Sequence, residues 1–120
     1  MSYQIFYTQK LEDDFLRNNV SVKRVRKTQQ KLVFLAEDIF RHSQTLVGFH
    51  YSLRKVRFGD CRLFIYIEYK SIFVLAFLRR SECYKRENLN KIASVILKLR
   101  HQGLISEPSV GYNSGELLVA

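Results

Sequence analysis

Two short segments of alternating residues, separated by Gly59-Asp60, constrain the fold more than any other part of the sequence. Apolar and polar residues alternate over residues 53–58 and again over residues 61–68. Successive side chains of a β-strand point to opposite faces of a sheet, so this pattern predicts two strands. Glycine at the first central position of a two-residue loop favours a type II′ turn. We therefore predict a β-hairpin in which Arg57 lies opposite Arg62.

The other elements follow from apolar spacing and from residues that begin or end helices. Thr8 is predicted to cap a short helix, and Gly103 is predicted to end the last one. Before the first hairpin we expect a strand over 4–7, a helix from residue 9 that Asn18-Asn19 ends, a helix over about 21–42 and a loop over 43–52. After it we expect a second hairpin, which turns at Lys70-Ser71 and continues over 71–79, and then a helix over about 85–102.

The predicted order β-α-α-β-β-β-α is typical of an α+β domain. We expect a small antiparallel meander sheet with helices packed on one face, which leaves the other face open to a ligand. Residues 1–103 would form this domain, and residues 104–120 would form a C-terminal tail that docks in part through Leu104 and Ile105. The 120 residues are 47% hydrophobic, which supports one folded core without a disulfide or a metal.

Cysteine usage and apolar runs bear on the compartment. Cys61 and Cys83 have no C-x-x-C spacing and fit free thiols of a reducing cytosol. No apolar run approaches the roughly 18 residues of a membrane span, and the first residues lack a secretory pattern. We therefore expect a cytoplasmic protein with no membrane partner.

Alternation in the first hairpin separates an apolar face from a basic one. The predicted core face carries Val56, Phe58, Cys61, Leu63, Ile65 and Ile67. The opposite face carries Lys55, Arg57, Arg62, Phe64, Tyr66 and Glu68. A turn at Lys70-Ser71 would place Arg79 opposite Arg62. Like charges directly opposite one another destabilise a sheet, so this cluster is best tolerated when an anion occupies it.

A formal net charge of +9 also indicates a polyanionic partner. Composition alone leaves RNA, DNA, an acidic membrane surface and an acidic protein open. Cations interleaved with aromatic rings suit single-stranded nucleic acid, because bases stack on rings while phosphates meet guanidinium groups. The competing interpretation is a sheet edge decorated with cations for solubility. The basic stretch over residues 23–31 is either a solvated helix face or a polyanion contact.

Other catalytic patterns are lacking in the sequence. His42, His50 and His101 are scattered, and no metal-ligand spacing joins them to a cysteine. Glu68 and Glu82 form no recognisable carboxylate pair, although Glu82 could orient Arg79 or Arg80. We therefore expect no metal and no cofactor.

At this point the sequence resembles a family. Residues 53–63, Leu-Arg-Lys-Val-Arg-Phe-Gly-Asp-Cys-Arg-Leu, resemble the β-hairpin of RelE/ParE-type toxins of bacterial type II toxin–antitoxin systems. Residues 80–84, Arg-Ser-Glu-Cys-Tyr, resemble the segment that ends the sheet in RelE-like members. The resemblance covers about residues 3–100. It implies a toxin neutralised by a cognate antitoxin, and for RelE-like members a ribosome-dependent endonuclease that cleaves mRNA by attack of a 2′-OH on the adjacent phosphate.

The resemblance also assigns roles to residues. Arg62 would stabilise the charge of the transition state, Lys55 and Arg57 fall at two basic positions of the preceding strand, and Tyr84 would stack on a base or orient the substrate. Arg79 completes the predicted catalytic set, and the predicted substrate contacts are Arg80, Phe64, Tyr66 and Lys85. Lysine can act as a general base where neighbouring cations disfavour its charged form. Lys55 lies between Arg54 and Arg57, so it is the candidate base, with a phosphate contact as its alternative role.

One position departs from the family pattern and keeps other functions open. Counting back from Tyr84 puts Leu78 where RelE-like toxins carry an arginine, and Arg79 lies one position away; a β-bulge would reconcile the two counts. A ParE-like gyrase inhibitor and a non-toxic basic module that binds RNA or protein are the alternatives. For either kind of toxin we expect the antitoxin to cover Arg62 or to shift the last helix.

Overall fold

The hairpin predicted around Gly59-Asp60 forms the centre of the sheet in a computed structural model that describes residues 3–46 and 52–106. Its strands are β3 (Leu53–Phe58) and β4 (Cys61–Glu68). Gly59 has a φ of +60°, as the first central residue of a type II′ turn requires. The predicted pairing of Arg57 with Arg62 is confirmed.

Three more strands complete a mixed sheet of order β1-β5-β4-β3-β2. They are β1 (Gln4–Tyr7), β2 (Gln44–Thr45) and β5 (Ser71–Arg79). The β1 strand pairs with β5 in parallel, and the other neighbours are antiparallel. The α+β class is confirmed, and β3, β4 and β5 form the predicted antiparallel meander. The β1 strand adds a parallel neighbour at the far edge, so the whole sheet is mixed.

Within residues 3–46 and 52–106, three α-helices and one short 3-10 helix accompany the sheet. They are α1 (Gln9–Arg17), α2 (Val22–Ala36), the 3-10 helix Arg80–Glu82, and α3 (Arg86–His101). The Thr8 hydroxyl accepts a hydrogen bond from the backbone N–H of Leu11, which confirms the predicted cap. Gly103 at φ +72° ends α3. None of the helices in the described ranges combines the length and apolarity needed to cross a membrane.

The α2 helix is shorter than predicted. It ends at Ala36 and turns follow, whereas the sequence suggested continuation to about residue 42. Val22 and Phe40, apolar residues near the two ends of the predicted helix, are 71% and 49% exposed. Ile39 is buried although it follows the helix. The apolar spacing therefore continues past the last helical residue, and this lengthened the predicted helix.

Helices cover both faces of the sheet, which corrects the prediction that they share one face. The α1 and α2 helices pack on the predicted core face, around Val56, Leu63 and Ile65. The α3 helix packs on the other face. Its Ile92, Ile96 and Leu99 form one buried cluster with Leu53, Phe64, Tyr66, Phe73 and Leu78. Phe64 and Tyr66 are therefore buried, and their predicted role as substrate contacts is wrong.

A β-bulge in β5 decides where the arginines at its end point. The second turn is Tyr69-Lys70, because Glu68 pairs with Ser71. Pairing then shifts between Phe64 and Ile65, and Leu75 is left without an opposite residue in β4. An extra residue reverses the facing of everything beyond it. The turn lies one residue earlier than predicted, and this difference alone would keep Arg79 on the same face as Arg62. The bulge is what moves Arg79 to the opposite face.

Because of the bulge, Arg79 pairs with Cys61 and lies on the face of α1 and α2. Leu78 pairs with Arg62 instead. The predicted convergence of Arg79 with the cations of the first hairpin is therefore wrong.

The described part of the C-terminal region packs against the buried cluster of α3. Ile105 is buried in the cluster formed with α3, and the Ser106 hydroxyl hydrogen-bonds a Glu68 carboxylate oxygen at 3.1 Å. Leu104, the other predicted docking residue, is 51% exposed. The remainder of the predicted tail and His50 lie outside the described residues.

Candidate functional site

A cleft of about 400 Å³ opens on the sheet face that carries α3, beside the buried cluster. Its lining consists of Arg41, His42, Ser43, Gln44, Lys55, Arg57, Arg62, Arg80, Cys83 and Tyr84. We call this the basic cleft. Four of the five residues predicted to be catalytic line it; Arg79 does not.

The first hairpin supplies three cations of the basic cleft. Lys55 and Arg57 are two residues apart on β3 and therefore share a face. Arg62 lies directly across from Arg57 on β4. Its guanidinium donates to the backbone oxygens of Gly59 at 3.0 Å and Cys61 at 2.9 Å, which fixes its position. Opposed like charges of this kind are unfavourable until an anion lies between them.

Arg80 is held at the cleft by the hairpin turn. Its backbone N–H donates to the backbone oxygen of Asp60 at 2.8 Å, so the end of β5 is tied to the first turn. Glu82 forms an ion pair with Lys85 at 3.1 Å rather than orienting Arg79 or Arg80, as the sequence had suggested. Lys85, a predicted substrate contact, is exposed and does not line the basic cleft.

Tyr84 is the aromatic residue of the cleft and is 60% exposed. Its hydroxyl hydrogen-bonds Lys55 Nζ. The ammonium nitrogen lies 4.7 Å from the ring centroid, but at the hydroxyl end, so the contact does not cover the face of the ring. Tyr84 is therefore accessible to a ligand, and it does not serve only to pack α3 against the sheet. Its exposed ring can stack on a base.

Cys83 forms part of the cleft wall as a neutral thiol. It is free, buried, and donates to the backbone oxygen of Arg79 at 3.3 Å. Burial raises the pKa of the Cys83 thiol, although Arg62 and Lys55 act in the opposite direction. A thiol with a raised pKa is a poor nucleophile at neutral pH, so Cys83 has a packing role.

Sequence reasoning missed the wall formed by residues 41–44. Gln44 of β2 pairs with Lys55, which brings Arg41 and His42 to the cleft. Arg54 holds this segment: its Nε donates to Ser43 Oγ at 2.6 Å and its Nη2 donates to the backbone oxygens of Phe40 and Ser43. A two-residue strand has no readable pattern, but an arginine on an apolar face was a signal that polar groups must meet it.

The lining of the basic cleft contains five Lys or Arg residues and no carboxylate. Of the five, Arg41 pairs with Asp38 at 3.8 Å, outside the cleft. No group of three His, Cys, Asp or Glu side chains suited to a metal occurs in residues 3–46 and 52–106. Fixed cations without counter-charges bind anions with several oxygens, and guanidinium groups match phosphate geometry.

Comparison with known proteins gives structural matches only. No protein-family model and no curated protein matches the sequence. A chain of the toxin–antitoxin complex RelBE2 from Mycobacterium tuberculosis is 18% identical with a TM-score of 0.54, covering 67% of this chain and 100% of that one. A chain of the E. coli DinJ-YafQ toxin–antitoxin complex is 11% identical with a TM-score of 0.52, covering 71% and 100%.

The chain has the fold of RelE-type toxins. The fold that the hairpin and the Arg80–Tyr84 segment implied is therefore confirmed. Within this RelE-type fold, Leu78 occupies the position opposite Arg62 and is 3% exposed beneath α3. No cation can reach the cleft from that point of β5. Arg80, two residues later, lines the cleft instead.

Arg79 lies in a different depression of the surface. Together with Arg24, Asp60, Cys61, Arg80 and Ser81 it lines a second cleft of about 640 Å³.

In the sequence, Lys55 lies between the charges of Arg54 and Arg57, but Arg54 faces the other side of the sheet, because adjacent strand residues face opposite sides. The cations that share the face of Lys55 are Arg57 and Arg62.

Proposed function

We propose that this chain is the toxin of a type II toxin–antitoxin system and cleaves mRNA on the ribosome. The observation that carries the proposal is the convergence of Lys55, Arg57, Arg62 and Arg80 beside the exposed ring of Tyr84. The RelE-type fold and neighbours drawn from toxin–antitoxin complexes support it. A cytoplasmic location and the ribosome as the place of action follow from the resemblance.

The arrangement suits cleavage by the RNA itself. The 2′-OH gives up its proton and attacks the adjacent phosphorus, the bond to the 5′ oxygen of the next nucleotide breaks, that oxygen takes a proton from solvent, and a 2′,3′-cyclic phosphate forms. Charge grows on the phosphoryl oxygens in the transition state, and fixed cations stabilise it. Arg57 and Arg62 meet these oxygens from the two strands, and Arg80 meets them from the end of β5.

Removal of the 2′-OH proton falls to Lys55, which lies beside Tyr84. Their side chains are hydrogen-bonded to one another. A neutral Lys55 amine would take the proton of the 2′-OH as a positioned general base. In the alternative role, Lys55 stays charged and contacts a phosphate. Tyr84 stacks on the base next to the scissile bond.

The test is induced expression in growing bacteria with transcriptome-wide mapping of mRNA 5′ ends. We expect new ends within translated regions, in phase with the reading frame. Arg62→Ala is expected to reduce cleavage about 10²–10³-fold, the cost of losing one preorganised charge donor. Lys85→Ala is the matched control, since Lys85 is a nearby cation outside the basic cleft. Equal loss in both variants would contradict the proposed site.

Gyrase inhibition is the second candidate, because one observation favours it. Leu78 is an apolar residue where a RelE-like nuclease carries a cation, and it is buried. Growth arrest without new mRNA ends, together with accumulation of cleaved or relaxed DNA in a gyrase assay with the purified chain, would select this function. Absence of arrest would select the non-toxic binding module.

The proposed partner is an acidic antitoxin. A surface with a net charge of +9 attracts a segment of opposite charge, and the basic cleft is the part that such a segment would neutralise. A complex with the cognate antitoxin should protect Arg62 or displace α3. A complex that leaves both unchanged would contradict neutralisation at the cleft.

A further inference from the structure

A line of cations leads away from the basic cleft around the first hairpin turn. Arg80 lines the basic cleft and also the second cleft, which Arg24 and Arg79 share. Arg24 in turn lines a third cleft with Lys27 and Lys31. Each cleft therefore shares a residue with the next. We call the cations that line the second and third clefts beyond Arg80 the basic track: Arg24, Lys27, Lys31 and Arg79.

Two cations of the track, Arg24 and Lys31, are held in place by buried rings. Arg24 lies 5.6 Å from the centroid of the Phe77 ring, and one of its nitrogens donates to Cys61 Sγ at 3.6 Å. The Lys31 ammonium lies 4.9 Å from the centroid of the Phe58 ring. Cations stacked in this way lose less conformational freedom when they bind an anion.

The spacing of the track suits successive phosphates. Arg24, Lys27 and Lys31 lie at positions i, i+3 and i+7 of α2, so they follow one side of the helix. They span about 10 Å at 1.5 Å per residue. Asp60 is the one carboxylate that lines these clefts. The four ion pairs found in the described parts of the chain include none of the track cations.

The absence of an apolar anchor favours a nucleic acid over an acidic protein. Protein partners are bound mainly through apolar or aromatic side chains in pockets. The rings of the track, Phe58 and Phe77, are 8% and 1% exposed and lie beneath the cations. Phe34 is 78% exposed on the same helix but lines none of the three clefts. Phosphate contacts need only the charges.

We infer that a single-stranded RNA held in the basic cleft continues past Arg80 and around the first turn, with its phosphates on the basic track. The inference rests on the proposed function in that the basic cleft must bind RNA. It goes further in assigning the basic stretch of α2 to the substrate path. The track contacts are independent of base sequence and add affinity only for an RNA long enough to reach them.

The test compares two lengths of RNA that cannot be cleaved because every 2′-OH is methylated. A 3-nucleotide RNA fits the basic cleft, and a 12-nucleotide RNA reaches beyond it. The test variant is Arg24→Gln/Lys27→Gln/Lys31→Gln. The matched control, Lys23→Gln/Arg26→Gln/Lys98→Gln, removes the same charge from exposed positions that line none of the three clefts. Thermal unfolding checks that both variants fold, and fluorescence anisotropy from 50 to 400 mM salt gives the affinities.

We expect the affinity for the long RNA to become less dependent on salt in the test variant and to keep its salt dependence in the control. Three phosphate contacts to a single strand correspond to a slope change of about 2 in log K against log salt, which is about a hundredfold in affinity at 0.1 M salt. Affinity for the short RNA should stay within about twofold. An equal effect of both variants, or no effect of either, would overturn the track and leave the cleft standing. Binding of neither RNA length would overturn the track, while the mapping of mRNA ends decides the proposed function separately. Tighter binding of a poly-glutamate peptide than of RNA would assign the track to an acidic protein.

Discussion

Replacing Asp14 with alanine is expected to lower the free energy of unfolding by about 3 kcal/mol. Asp14 is 1% exposed on α1. One carboxylate oxygen accepts the backbone N–H of Phe77 at 2.9 Å, just beyond the bulge of β5. Strand β1 ends its pairing with β5 at Val74. The Asp14 carboxylate therefore takes the place of a neighbouring strand at this edge.

The magnitude follows from what each substitution removes. Alanine leaves the buried N–H of Phe77 without a partner, at about 2 kcal/mol, and breaks the pair with Lys10, at about 1 kcal/mol. Lys10 lies 2.9 Å away and its side chain is 13% exposed. The pair with Arg17 contributes little, since that side chain is 51% exposed. Asparagine keeps an acceptor for Phe77 and is expected to cost only about 1 kcal/mol.

Urea unfolding followed by circular dichroism measures both variants against the unchanged chain. The slope of free energy against urea should be the same for all three proteins, so that the midpoints report stability. If alanine and asparagine cost the same within 0.5 kcal/mol, roughly the additivity error, the reasoning is refuted. The ion pairs would then carry the effect, and the Phe77 contact would be unimportant.

Substitutions at three other residues test separate parts of the structure. Burial raises the pKa of the Cys83 thiol, so the unfolded state loses the thiol proton first. The free energy of unfolding should therefore fall as pH rises above about 8.5. Urea midpoints from pH 7 to 9.5 should decline less in Cys83→Ala, and an unchanged decline would contradict a role for Cys83 in this pH dependence. Gly59→Ala should cost about 1–2 kcal/mol in thermal unfolding, since φ is +60° and the space around a Cβ is open; no change would argue against the positive φ. Tyr84→Phe should keep affinity for the 3-nucleotide RNA, whereas Tyr84→Ala should lose about 1–3 kcal/mol, and equal losses would show that the hydroxyl contact with Lys55 matters more than stacking.

The first hairpin was predictable because its information is local. A two-residue turn with glycine in first place and alternation on both sides determine which residues face one another. That is enough to place Lys55, Arg57 and Arg62 together. The segment from Arg80 to Tyr84 carried the resemblance, and its position after β5 brought Arg80 and Tyr84 to the same cleft.

The predictions that were wrong concern positions where the deciding interaction is distant in sequence. The extra residue at Leu75 carries no turn residue or break in composition, so Arg79 was assigned to the wrong face. The apolar stripe of α3 is clear, but a stripe does not say which face of the sheet it covers. Phe64 and Tyr66 were taken as accessible for that reason. Residues 41–44 reach the cleft through Arg54 and a two-residue strand, which no periodicity reveals.

The parallel pairing of β1 with β5 implies an order of folding. The Thr8 hydroxyl donates to the backbone oxygen of Val74, 66 residues later, at 2.8 Å. Contacts between distant residues form late, because the intervening chain must first be closed into a loop. The β3–β4 hairpin needs only its own turn and forms on a microsecond scale, about 1–10 μs for a simple hairpin. We therefore expect three cations of the basic cleft to come together before the first strand of the chain finds its partner, with closure of the sheet edge as the last and slowest step.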